Sequence, residues 1–105
     1  MITVERTGYV LVVDGHANYA EPGQDIVCSA ASILVYTLMD TLEQYKTNGI
    51  VKDYKAKSKN GRAIITCRPG GGDKAKITYG TIMNGFRLLA EYYPGNVRIV
   101  GSKSS

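Results

Sequence analysis

A chain of 105 residues suits one small domain and leaves no room for a second core. Its 44% hydrophobic and 21% charged residues are ordinary for a soluble globular protein, and no apolar run reaches the length expected of a bilayer span. The net charge of +4 favours an acidic surface or a polyanion, but the excess is modest and partly local to Lys52, Lys55, Lys57, Lys59 and Arg62, as in a solvated face.

The first residues, Met1 to Glu5, lack the basic start and apolar core of a secretion signal, so the expected location is the cytoplasm. Residues 2 to 7 and 9 to 14 are rich in β-branched and apolar side chains around Gly8, which predicts a hairpin ending near Asp14. From Asp25 the pattern becomes helical. Val27, Ala30, Ala31, Leu34, Leu38, Leu42 and Tyr45 recur at spacings of three and four and define one stripe running to about Lys46. Asp25 has the short acceptor side chain of a helix cap, which places Cys28 in the first turn. Residues 51 to 58 and 62 to 68 flank Asn60-Gly61, the strongest hairpin signal in the chain. A second helix is predicted over about 73 to 93, with Ile82, Met83, Phe86, Leu89, Ala90 and Tyr93 inward and Pro94-Gly95 ending it, although Gly80 and Gly85 weaken it. A short strand, 97 to 100, precedes a polar tail expected to fray over 101 to 105. The predicted fold class is α+β: a two-layer β-β-α-β-β-α-β domain, mainly antiparallel, with both helices on one face. Such a sheet leaves one face without helices, and the chain is small enough for a second copy to cover it, so a homodimer is expected.

Two residues carry the candidate chemistry. His16 is the sole histidine, just past the second strand, and Cys28 lies where unpaired N–H groups and the helix dipole favour a thiolate. A thiolate beside an imidazole is a minimal acyl-transfer pair, provided the turn-rich residues 17 to 27 bring the strand end to the helix start. The competing reading is a cysteine packed as a small hydrophobe and a histidine on the surface. Cys67, in Ala63-Ile64-Ile65-Thr66-Cys67, reads as packed, and His16, Cys28 and Cys67 match no zinc-ligand spacing. "RPGGGDKAK" lacks the GK[ST] of a phosphate loop. Five of the eight tyrosines, Tyr36, Tyr45, Tyr79, Tyr92 and Tyr93, fall in predicted helices, where packing is expected rather than base stacking.

The compound pattern Gly15-His16-Ala17, a loop holding Gly23, then Asp25-Ile26-Val27-Cys28 with Ala30 and Ser32 resembles the signature of the ribosomal-processing cysteine protease (Prp) family. Length and element order fit that family end to end. Ser29 departs from it mildly, standing where a small apolar residue is usual. The resemblance implies a cysteine endopeptidase that removes a short N-terminal extension from a large-subunit ribosomal protein, or from phage proteins with similar leaders, cutting after an aromatic residue. It implies Cys28 as nucleophile and His16 as general base and later acid; no metal or cofactor is expected. Gly15 would allow close backbone approach, Asp25 would organise the helix entry, and Ser32 would sit one turn beyond the sulfur. Backbone N–H groups at the helix start, that of Cys28 included, would hold the oxyanion. Asp25 as a third triad member competes with its capping role. The loop 18 to 24, with Tyr19, Pro22 and Gly23, is expected to act as a mobile lid on the peptide. The alternative from another class is a non-catalytic basic module binding RNA or the ribosome, whose binding would weaken steeply with salt.

Overall fold

The structure, a computed structural model, describes residues 1–101. Apart from Gly101, the tail expected to fray lies outside the described residues. Seven elements follow in the predicted order: β1 (Ile2–Thr7), β2 (Val10–Asp14), α1 (Ile26–Thr47), β3 (Val51–Lys59), β4 (Arg62–Pro69), α2 (Lys74–Tyr92) and β5 (Val97–Ile99). The strands form one sheet in the order β3-β4-β2-β1-β5. All neighbours are antiparallel except β5, which runs parallel to β1 and pairs Ile2 with Val97.

Local chemistry accounts for most of the boundaries. Asn60 (φ +52°) and Gly61 (φ +76°) both adopt left-handed backbone, the condition for a two-residue type I′ turn whose twist matches the strands it joins. α1 ends in a Schellman motif: Gly49 is left-handed at φ +75°, its N–H donates to the Lys46 carbonyl, and the Ile50 N–H reaches back to Tyr45.

Alternation sets the sheet's two faces. Ile2, Val4, Leu11, Val13, Ala63 and Ile65 point toward the helices and are buried, and Val27, Ala31, Val35, Leu38 and Leu42 of α1 close over them. The predicted stripe omitted Val35 and included Ala30, Leu34 and Tyr45, which are only partly buried. The apolar face drifts around the helix at 3.6 residues per turn, which brings Val35 inward between Ala31 and Leu38. In α2 the buried set is Ala75, Tyr79, Ile82, Phe86 and Leu89; the element begins one residue after Asp73 and ends at Tyr92, so Tyr93 is its cap. Gly85 has a packing reason, because a Cβ there would stand 2.7 Å from Leu34 Cδ2 of α1.

α1 corrects one expectation. Its 22 residues, with a mean hydropathy of 1.4 over the most apolar window, give it the length and composition of a membrane span. In this fold its inner stripe is packed on the sheet and on α2, the ordinary arrangement of an amphipathic core helix. On the edge strand β3, Lys55, Lys57 and Lys59 lie in register with Thr66, Ile64 and Arg62 on the helix-free face, where charge discourages strand addition. Phe86 is fully buried between the layers. Its truncation to Ala should destabilise the domain by about 3–5 kcal/mol, read from urea denaturation, a large share of the ~5–15 kcal/mol typical of a domain.

Candidate active site

One carboxylate organises the entry to α1. Asp25 Oδ1 accepts the N–H groups of Val27 (3.0 Å) and Cys28 (2.9 Å), while Oδ2 accepts those of Tyr19 (2.9 Å) and Ala20 (3.3 Å). Asp25 is the one buried charged side chain among the described residues. Burial pushes its carboxyl up, but the N–H donors of Cys28, Tyr19, Ala20 and Val27 together outweigh this and hold it below its ordinary value of 3.8. A depressed carboxyl contributes stability above that ordinary value and loses it as pH falls through the folded-state value. Asp25→Asn should therefore melt below wild type near neutrality, and the gap should narrow as pH falls below 3.8, as checked by thermal melts across the acid range. With both oxygens engaged by backbone, Asp25 acts as cap and loop anchor and makes no hydrogen bond to His16 among the described residues.

β2 delivers the histidine. Gly15, at φ +104°, donates its N–H to the Gly61 carbonyl at 2.8 Å, and a Cβ on it would overlap the Met1 carbonyl oxygen. The next residue, His16, is exposed. Its ring lies against the β3–β4 turn, where a Cβ on Gly61 would approach Nε2. Ala17 then turns inward, is buried, and donates its N–H to Cys28 Sγ at 3.4 Å. Asn96, at the entry to β5, holds this residue from the other side, its Nδ2 donating to the Ala17 carbonyl at 2.9 Å. The segment carrying His16 is thereby joined to the sulfur through backbone. No hydrogen bond links the imidazole to the sulfur among the described residues, and both residues line the same two cavities.

The larger cavity, about 790 Å³, lies on the loop side and is bounded by Asn18, Ala20, Pro22 and Gly23, with Ser29 and Tyr36 on the helix. The smaller, about 260 Å³, lies toward the hairpin and is bounded by Gly15, Ser58, Gly61 and Ala63. His16, Cys28, Ser32 and Tyr36 are common to both, so the cleft continues across the sulfur.

The structure places most of the predicted site residues here. Gly15, His16, Asp25, Cys28 and Ser32 converge, and Pro22 and Gly23 line the cleft. Tyr19 is placed elsewhere: its ring meets Tyr93 edge-on at 5.3 Å, while its N–H is held by Asp25. The expected oxyanion donor is also corrected. The Cys28 N–H is taken by Asp25, and the N–H that faces the sulfur belongs to Ala17. Tyr36 and Ile33 were not expected in the site; Cys28, Ser32 and Tyr36 recur every fourth residue, a signal that one helix face points at the cleft. Asn96 and Gly61 had no local signal.

The remaining thiol is separate. Cys67 is half-buried, and burial pushes it up against an opposing hydrogen bond with Tyr79. Among the described residues no three potential ligands gather as a metal site. The helical tyrosines divide: Tyr79 is buried, whereas Tyr36 and Tyr92 are exposed, against the expectation that they pack.

With the thiol, the imidazole and the cleft in place, comparison with known proteins decides the family. A family model described as cysteine protease Prp matches residues 2–98. The chain belongs to the Prp family of cysteine proteases. The ribosomal processing cysteine protease Prp of Staphylococcus aureus strain Mu50 is 27% identical over 100 residues, covering 93% of this chain and 92% of that protein. A crystal structure of an essential ribosomal processing protease Prp from S. aureus, in complex with a covalently linked product peptide, superposes with a TM-score of 0.78 at 25% identity, over 94% of this chain and 97% of that one. A Streptococcus mutans protein shares the fold, with a TM-score of 0.63 at 22% identity over 96% and 93% of the two chains. Against this Prp background the sequence expectations of an α+β fold and of the family both hold.

Proposed function

We propose that this Prp-family chain is an endopeptidase that removes a short N-terminal extension from a large-subunit ribosomal protein, or from a phage structural protein with a similar leader, using Cys28 and His16. The observation that carries this reading is the contact of the Ala17 N–H with Cys28 Sγ, which ties the histidine-bearing strand end to the capped helix start. His16 takes the thiol proton as Sγ attacks the scissile carbonyl carbon, and an S–C bond forms. Collapse of the tetrahedral adduct breaks the C–N bond, and His16 returns the proton to the leaving amine. Water, deprotonated by the same imidazole, then hydrolyses the thioester and restores the thiol. The Ala17 N–H is the donor placed to follow charge from sulfur to oxyanion. The S. aureus relative with its covalently linked product peptide supports an intermediate of this kind.

Ile33 and Tyr36, both more than half exposed on the helix wall of the larger cavity, offer an apolar surface for an aromatic residue at the cut. The test is a synthetic leader joined to the mature start of a ribosomal protein, digested and read by mass spectrometry. One cut after the aromatic residue, lost when that residue is Ala, is expected; an intact peptide under all conditions would remove the proposal. The helix-free face, with Val10, Val12 and Ile64 outward, is proposed to be covered by a second copy, and a purely monomeric species in sedimentation would count against that.

A further inference from the structure

The turn between β3 and β4 lies far from the histidine in sequence and touches it in space. The Gly15 N–H to Gly61 carbonyl bond, 2.8 Å, carries the β2–β4 ladder one step past the strands and sets the following residue, His16, over the turn. There the imidazole occupies the space a side chain on Gly61 would need: a Cβ would stand 2.7 Å from Nε2 and 3.0 Å from Cε1. The turn itself requires left-handed backbone at position 61, which Asn also adopts, but it does not require an empty side-chain position. Gly8 shows the difference. It turns the β1–β2 hairpin at φ +59° with nothing within 4 Å of its own missing Cβ.

We propose that Gly61 is a positioning residue for His16: its absent side chain is the seat of the imidazole, and the β3–β4 hairpin is thereby a wall of the catalytic cleft. Ser58 and Ala63, from the two strands of that hairpin, line the smaller cavity beside the sulfur and the ring. Because the atoms a Cβ would meet belong to the imidazole and not to backbone, a side chain at position 61 evicts the ring and leaves the fold standing. The inference rests on His16 as general base, since only then does the ring's place govern the rate.

The single histidine supplies its own probe, one set of imidazole resonances. In labelled wild type, nuclear Overhauser contacts between the His16 ring protons and the Gly61 Hα protons are expected, and their absence would overturn the proposal without any variant. Gly61→Asn, which keeps the left-handed turn, should lose those contacts, shift the ring resonances and lower kcat on the order of 10²-fold with KM nearly unchanged. Gly8→Ala, which carries backbone strain without a ring beside it, should leave kcat and the ring resonances as in wild type. A folded Gly61→Asn variant with wild-type kcat and ring signals, a gain in rate, or an equal loss in Gly8→Ala would each overturn the assignment. If the wild-type chain cuts no leader peptide, the proposed protease function fails, while the ring signals still decide whether Gly61 seats the imidazole.

Discussion

Cys28→Ala is expected to abolish cleavage of the leader peptide, and His16→Ala to lower kcat/KM by about 10³-fold or more, with both variants keeping the wild-type melting temperature. The size follows from losing a nucleophile outright, or the group that moves its proton, when the cleft offers no substitute. His16 is the sole histidine, and Asp25, the one carboxylate lining the cleft among the described residues, has both oxygens taken by backbone N–H groups. The melting temperature should hold because His16 is exposed and Cys28 only half-buried. Alkylation separates the pair's contributions: at neutral pH iodoacetamide should modify Cys28 faster than Cys67 in wild type, and the advantage should shrink in His16→Ala. Cys67, pushed up by burial, is the built-in comparison. Undiminished cleavage by Cys28→Ala would end the proposed mechanism.

Gly15→Ala is expected to lower stability by about 2–3 kcal/mol, a loss of roughly 10 °C or more in Tm, and to lower activity with it. Two effects combine. A backbone at φ +104° is strained for any residue with a Cβ, and that Cβ would overlap the Met1 carbonyl oxygen. Met1 cannot yield freely, because the next residue, Ile2, is buried and donates its N–H to the Asn96 carbonyl at 2.9 Å. Asn96 in turn holds the Ala17 carbonyl, and Ala17 contacts the sulfur, so the Met1 contact at Gly15 is linked to Cys28 through three hydrogen bonds. Gly8→Ala provides the scale for strain alone, about 1–2 kcal/mol. Equal melting temperatures for the two variants would show that the Met1 contact has no consequence.

The parts of this molecule legible in the sequence are those governed by neighbours along the chain. Asn60-Gly61 specified its turn because both residues tolerate left-handed backbone, Asp25 specified the start of α1 because its Oδ1 reaches N–H groups two and three residues on, and periodicity marked the buried faces of both helices. The histidine and cysteine were legible as a compound pattern because the loop joining them is short and the cap fixes one end.

Other features depended on approach between distant segments, for which a single sequence carries no local rule. The parallel docking of β5 beside β1 brings Asn96 to Ala17, seventy-nine positions away. The cap that the sequence did reveal also removes the Cys28 N–H from service, a competition visible only once hydrogen-bond partners are counted in space. Tyr19 found Tyr93 instead of the cleft, and the ring of His16 settled on a glycine that the sequence marked only as a turn. Sequence determined the elements and marked the candidate pair, since turn chemistry and side-chain period act over a few residues. Tertiary structure alone decided which groups steady that pair, since a hydrogen bond or a steric gap exists only where two parts of the chain are brought within a few ångströms.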